Sequence, residues 1–382
     1  MSDAYIVSAV RTPVGRRKGS LSQVHPADLA GHVLKAAVER AGVAADLVEA
    51  VILGCVDQLG AQSTNVARTA WLAAGLPEHV PGTTIDRQCG SSQQAVHFAA
   101  QGVLSGTQDI VVAGGVEVMS LVPISSPAII GAEQGLGSPY DGEGWTGRYG
   151  SEEISQFRGA EMMADRWNIT RAQMEEFALN SHRRALAAQE SGAFEDEIAP
   201  YADLTADEGP RPDTTLEKMA SLNTLTPDGR LTAAVASQIS DGAAALVIAS
   251  GRAVEQYGLT PLARIHTMTV VGADPVLMLS APIPATELVL KKAGLTIDEI
   301  DHVEINEAFA SVVLAWMLET GADPAKVNPL GGAIALGHPL GATGARLMTT
   351  MVHQLRRTGG RYGLQTMCEG GGMANATIVE RV

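Results

Sequence analysis

Aromatic side chains are scarce in this sequence, with 4 Trp, 6 Tyr and 5 Phe among 382 residues. The apolar fraction is still 46%, so the chain can build a core and is not disordered. That core must come from Ala, Val, Leu and Ile, which predicts closely layered helices and sheets. Cysteine is equally thin. Cys55, Cys89 and Cys368 are too few for a disulfide framework. A reducing, cytoplasmic setting is expected, where a special cysteine is catalytic rather than structural. No apolar stretch approaches the roughly 20 residues of a membrane span. The opening Met-Ser-Asp-Ala-Tyr shows no basic-then-apolar leader. Positive charge is short too: 27 Lys and Arg face 42 Asp and Glu, for a net charge of −15. The longest basic run is Arg16-Arg17-Lys18. Such a field repels a phosphate backbone, which excludes nucleic acid as a partner. An anionic small substrate would need a local basic or N–H site. Glycine is the excess, at 41 residues, about 11% against a usual level of about 7%.

The apolar pattern alternates between strand and helix. Strands are predicted at 5–10, 51–56 and 83–86, and helices at 28–40 and 91–104. A further strand is expected from Asp109 to Ala113, closed by Gly114-Gly115. From about Leu121 to Leu231, Gly- and Pro-rich turns alternate with a charged helix over 171–191, as an insertion would. Regular apolar patterning resumes at 240–248. Ala41-Gly42 to Val51 then recurs as Ala293-Gly294 to Val303, a shift of 252 residues from 41 to 293. The helix after Cys89 has a counterpart in 341–355. Two matches in the same order point to a duplicated α/β half.

Four segments carry the chemistry. Asp86-Arg87-Gln88-Cys89-Gly90-Ser91-Ser92 places a cysteine where a strand turns into a buried helix. The positive helix end is expected to lower the thiol's pKa and favour the thiolate. The ordinary fate of a free cysteine is core packing, but the small neighbours admit a ligand. Gly331 to Gly344 holds five glycines around His338, without the spacing of a nucleotide loop. A histidine so framed can act as a general base. The other eight histidines, including His97 and His182, read as surface or packing residues. Met367-Cys368-Glu369-Gly370-Gly371-Gly372 runs a strand end into three glycines. Its backbone could aim an N–H at an oxyanion, and Cys368 could move a proton. Asn306-Glu307-Ala308-Phe309 follows the repeated strand, where Asn306 could hold a water or a carbonyl oxygen, or simply cap a helix. Cys55, inside an apolar strand, reads as structural.

Together these segments resemble the thiolase family, the acyl-CoA C-acetyltransferases. The resemblance covers nearly the whole chain. It rests on Ala9-Val10-Arg11-Thr12-Pro13, Gln88-Cys89-Gly90-Ser91, Ser240-Asp241-Gly242-Ala243-Ala244, Asn306-Glu307-Ala308-Phe309, Gly337-His338-Pro339 and Cys368-Glu369-Gly370-Gly371-Gly372. It implies an α/β fold, a thiolase-like five-layered αβαβα core built from two duplicated halves plus an inserted loop domain. The expected division is 1–118, completed by about 240–261, then a loop domain over 119–239 covering CoA, then 262–382.

By the same resemblance, Cys89 is the nucleophile, His338 its base, and Cys368 the acid/base. Asn306 with His338 forms one oxyanion site, and the N–H groups of Cys89 and Gly370 form the other. Ser237 and Phe309 line the pantetheine arm. Arg183, Arg184, Lys218 and Arg230 are candidates for the CoA phosphates. No metal and no permanently bound cofactor is implied. Acyl-CoA and coenzyme A are the substrates, and a homodimer or homotetramer is expected.

Three departures from the family pattern matter. Ser92 replaces a glycine. Ser155-Gln156-Phe157-Arg158-Gly159 stands where short-chain biosynthetic members carry His-Met-Gly. Thr232-Ala233-Ala234-Val235-Ala236-Ser237 replaces Thr-Ala-Gly-Asn-Ala-Ser. These favour a degradative 3-ketoacyl-CoA thiolase acting on longer or bulky chains, including sterol-derived ones. The alternatives are an acetoacetyl-CoA thiolase, a ketoacyl synthase and a non-catalytic acyl-CoA-binding subunit.

Overall fold

The computed structural model describes residues 3–382. Its strands are β1 (Ala4–Arg11), β2 (Gly15–Arg16), β3 (Ala50–Gly54), β4 (Gly82–Ile85), β5 (Ile110–Val118), β6 (Ser240–Ser250), β7 (Ala263–Gly272), β8 (His302–Ile305), β9 (Tyr362–Glu369) and β10 (Met373–Arg381). Their order is β4-β3-β5-β6-β1-β7-β10-β9-β8, with β2 on β6.

This order is two copies set back to back. β3-β5-β6-β1 has its counterpart in β8-β9-β10-β7, with the same sequence of parallel, antiparallel and antiparallel pairings. β4 lies parallel to β3, and a lone parallel bridge, Val303–Val327, takes its place beside β8. The copies meet at a short seam, where Tyr5 pairs with Arg264 and Ile6 with Ala263. Both seam strands bulge at their fourth residue. The β1–β6 register skips Val7, and the β7–β10 register skips His266. A bulge adds one unpaired residue and sharpens the local twist, so the duplicated sheets bend alike at the seam.

The repeat read in the sequence is the same unit in space. The helices Pro26–Ala41 and Pro282–Ala293 each start with proline in the first turn. They end on Gly42 and Gly294, at φ +68° and +69°, the left-handed cap that glycine adopts without strain. Short 3₁₀ turns at Ala45–Leu47 and Ile297–Glu299 lead into β3 and β8.

Alternation along the strands builds the layers. Ile110, Val112 and Val116 of β5 and Ala245 and Val247 of β6 pack against the helix Pro26–Ala41. Val111 and Ala113, with Leu246 and Ile248, face the helices Ser91–Leu104 and Leu340–Thr358. The outer face of β8 and β10 is covered by the helices Pro282–Ala293 and Ala310–Thr320. Helices, sheet, paired central helices, sheet and helices make five layers.

Two strand boundaries differ from the sequence reading. β5 does not stop at Gly114-Gly115 but runs to Val118. Both glycines are tight packing points instead. A side chain at Gly114 would strike the Ala244 backbone, and one at Gly115 the Gly341 backbone. β3 ends at Gly54 rather than Val56, because the Val56 and Asp57 N–H groups turn to the Glu117 carboxylate.

The segment between β5 and β6 carries the helices Ser126–Glu133, Glu143–Tyr149, Gln156–Arg166, Arg171–Glu190 and Leu216–Ala220. Arg11, 1% exposed, ties it to the core: Nε meets Glu197 at 2.5 Å and the guanidinium end meets Asp207 at 2.6 Å. Thr350 of the central layer donates to the same Glu197 oxygen. Among the described residues no helix is long and apolar enough to cross a membrane.

The central helices touch at Gly344, where any side chain would meet the Gln93 backbone. Gly344→Val should cost about 3 kcal/mol by overpacking, read as a lower melting temperature. Gly147→Ala, on the exposed helix Glu143–Tyr149, serves as the control for a glycine loss in open space.

Candidate active site

The N-termini of the two central helices build the site. Gly90 caps Ser91–Leu104 and Pro339 caps Leu340–Thr358. Cys89 and His338 each stand one residue before the cap. The duplicated fold thus places a thiol and an imidazole at equivalent points. A bond from the Ala345 N–H to the Ser92 hydroxyl, 2.8 Å, links the two helix starts. That bond accounts for the serine that replaces the family glycine.

Local hydrogen bonds hold the cysteine. Asp86 accepts from the Gln88 N–H at 2.6 Å, and Gln88 adopts φ +49°. Ser91 accepts from the Arg87 N–H and donates to the Gln88 carbonyl. Cys89 is half-buried, and the backbone N–H groups of Cys89 itself and of Gly370 favour the charged form of its sulfur. Cys368, buried at the end of β9, faces the same sulfur electrostatically.

His338 has a defined tautomer. Its Nδ1 lies 2.6 Å from the Thr343 hydroxyl, which donates its one proton to the Pro339 carbonyl at 2.8 Å. Thr343 therefore accepts from Nδ1–H, which leaves Nε2 unprotonated: its lone pair accepts the Asn306 amide and is the basic position of the ring. The Asn306 amide nitrogen lies 3.3 Å from Nε2. Asn306 is fully buried and is not a helix cap, since the next helix starts at Ala310. Its Oδ1 has no partner among the described residues. The Asn306 N–H bonds to Thr366 of β9, two residues before Cys368, joining this cluster to the cysteines.

Burial decides the charges. The Cys89 thiol is pushed up to about 12, first by desolvation and then by the nearby Glu369 carboxylate. The two N–H donors pull the other way and lose. The free enzyme therefore holds a neutral thiol, which corrects the thiolate expected from the helix end. Burial also drives His338 down to about 3, with help from Arg346. Cys368 is raised well above the usual thiol range by burial and by Cys89. The Cys89 and His338 side chains are both neutral.

A cleft of about 180 Å³ lies against the loop carrying His338, lined by His182, Arg211, Lys218, Met219, Ala234, Gln238 and Ile334 among others. Gln238 donates to the Gly209, Ile334 and Ala335 carbonyls, stitching its wall together. Lys218 reaches the cleft paired with Asp213 at 2.8 Å. Arg183 is exposed and lies outside the lining. Arg184 and Arg230 are spent on backbone carbonyls. The Ser237 N–H bonds to the Ala308 carbonyl, and Phe309 packs in one cluster with Cys368 and Ile334, edge-on to Phe157 at 5.7 Å.

The family models described as "Thiolase, N-terminal domain" and "Thiolase, C-terminal domain" match residues 4–252 and 259–381. The chain belongs to the thiolase family. A steroid 3-ketoacyl-CoA thiolase of Mycobacterium tuberculosis is 57% identical, over 100% of this chain and 95% of the relative. A beta-ketoadipyl-CoA thiolase of Pseudomonas aeruginosa is 45% identical, over 100% and 99%. The crystal structure of the Bacillus anthracis acetyl-CoA acetyltransferase superposes with a TM-score of 0.89 at 39% identity, covering 100% of this chain and 99% of that one. As a thiolase the chain is an acyltransferase.

Several residues of this thiolase escaped the sequence reading. His182, read as surface or packing, lines the cleft; His97, read the same way, is indeed a buried packing residue between Thr377 and Asn375. Glu117, Glu307, Thr343 and Arg211 carried no local signal. Glu307 is buried and holds Ser181, Asn328 and the Ile334 N–H beneath the glycine loop.

Thr343→Val should release the His338 tautomer and lower kcat/KM about tenfold, the worth of one buried hydrogen bond, with KM little changed. Because His338 stays neutral far below the usual histidine range, kcat/KM should be flat from about pH 5 to 7. An acid limb near 6.5 that vanishes in His338→Asn would contradict this reading.

Proposed function

We propose that this thiolase is degradative: it cleaves a 3-ketoacyl-CoA with coenzyme A, giving acetyl-CoA or propionyl-CoA and a shortened acyl-CoA. The observation that carries the reading is the placing of Cys89 and His338 before the N-termini of the two central helices, with the histidine's Nε2 left unprotonated; the steroid and beta-ketoadipyl-CoA thiolases among the relatives favour the degradative direction. His338 takes the thiol proton as Cys89 attacks the 3-keto carbon. The oxygen of that carbon becomes negative, and an oxyanion site receives it. The bond between C2 and C3 breaks. The shortened acyl group stays on sulfur, and Cys368 protonates the departing carbon. Cys368 then removes the proton of an incoming CoA thiol, which takes the acyl group. Holding the acyl group as a thioester keeps it activated for this second transfer. Asn306 with His338 serves one oxyanion, and the N–H groups of Cys89 and Gly370 serve the other.

CoA enters through the cleft. Lys218 and Arg211 offer its phosphates local charge in an acidic protein, and Ser237 and Phe309 flank the pantetheine arm. Residues 119–239 form the domain over CoA, set between 1–118, completed by 240–261, and 262–382. The enzyme works in the cytoplasm as a homodimer or homotetramer. A bulky, sterol-derived acyl group is favoured by the 57% identical steroid thiolase and by Phe157 standing where short-chain members carry His-Met-Gly. A dicarboxylic 3-ketoacyl chain is the second reading, favoured by the beta-ketoadipyl-CoA thiolases.

Cys89→Ala should lower thiolysis by about a thousandfold or more, as loss of a nucleophile does, with the fold intact by circular dichroism. Full activity in that variant would end the nucleophile assignment. A thiolysis panel spanning acetoacetyl-, 3-oxoadipyl- and sterol-derived 3-ketoacyl-CoA should favour the last; preference for acetoacetyl-CoA would overturn the bulky-substrate reading. Arg211→Met should raise KM for CoA several-fold with kcat unchanged, the mark of lost uniform binding.

A further inference from the structure

The duplication supplies each half with one buried glutamate near the end of its second long strand. Glu117 of β5 and Glu369 of β9 are 252 residues apart, the shift of the repeat itself. Both are fully buried. Each reaches across to the N-terminus of the central helix from the other half. Glu117 accepts the Gly341 N–H at 2.9 Å. Glu369 lies against Gly90 so closely that any side chain there would collide with its carboxylate.

The two sites differ in how they are filled. Glu117 is saturated by the N–H groups of Val56, Asp57 and Gly341 and by the Gln62 amide. Among the described residues Glu369 accepts only the Asn375 N–H, at 3.0 Å, and its Oε2 has no partner. A buried carboxylate with one donor is poorly compensated. Desolvation pushes Glu369 up to about 8, against Arg87 and the Asn375 N–H. The groups facing it are Arg87 on the nucleophile loop, the two cysteines, and the Asn375 N–H from β10. Behind Asn375, the helix presents Gln94 and a His97 that burial keeps neutral.

We propose that Glu369 is a positioning residue for the nucleophile's charge: protonated, it leaves the positive helix end to Cys89, and ionised, it cancels that field and holds the thiol neutral. This rests on the reading of Cys89 as nucleophile. Glu369 touches no reacting atom and acts through the sulfur alone. The consequence is a nucleophile that stops gaining reactivity just where a free thiol would gain it, as pH rises through the range in which the carboxyl ionises. Through that range the reactivity of Cys89 levels off instead of rising.

The test is the alkylation rate of Cys89 by iodoacetamide, an uncharged probe, followed by mass mapping of the Cys89 peptide from about pH 6 to 10. A lone thiol below its pKa gains tenfold per pH unit. The wild-type protein should show a shoulder near pH 8, and E369Q a straight line. The two should agree at about pH 6.5 and differ about tenfold above pH 9, the equivalent of one pKa unit. A straight wild-type line, or coincident profiles for the two proteins, overturns the proposal. If E369Q does not fold, the wild-type shoulder decides alone. Retained thiolysis in Cys89→Ala would instead remove the nucleophile assignment and leave the alkylation result standing, so the two failures are distinguishable.

Discussion

Everything at the centre of this protein depends on two helix N-termini meeting across the duplicated fold. An N-terminus leaves backbone N–H groups without helical partners and carries partial positive charge. Burying two of them face to face is tolerable only if negative or polar groups are supplied. The Glu117 carboxylate takes the Gly341 N–H and the Ser92 hydroxyl that of Ala345, so the helix start beside His338 is held by residues of the other half.

Close approach is the second requirement. Gly344 lets the central helices touch at Gln93, and Gly115 lets β5 reach Gly341. The scarcity of aromatics follows from the same geometry, since the central layer is filled by Ala95, Ala99, Val103, Ala345 and Met348. Around this layer, buried polar groups tie the insertion to the core. Arg11 binds Glu197 and Asp207 of the insertion, and Glu307 holds the loop that carries His338. The insertion is thus fastened to the core beside the cleft.

Burial also settles which protonation states are available. A thiol and an imidazole in water could exchange a proton to form an ion pair. In this site each charged form is penalised by desolvation, so the neutral pair prevails.

The repeat of 252 residues, the helix caps at Gly42 and Gly294, and the motifs around Cys89, His338 and Cys368 were legible in the sequence, because local backbone chemistry and short-range patterning write them there. Arg183 and Lys218 looked alike in sequence, yet only Lys218 reaches the cleft, because helix facing is decided by packing. Glu117 and Glu369 read as single acids among apolar strands. Their relation to helices from the opposite half is long-range and has no local signature. The thiol's charge was misread for the same reason: a helix end is visible in sequence, but the burial that outweighs it exists only once the two halves close on each other.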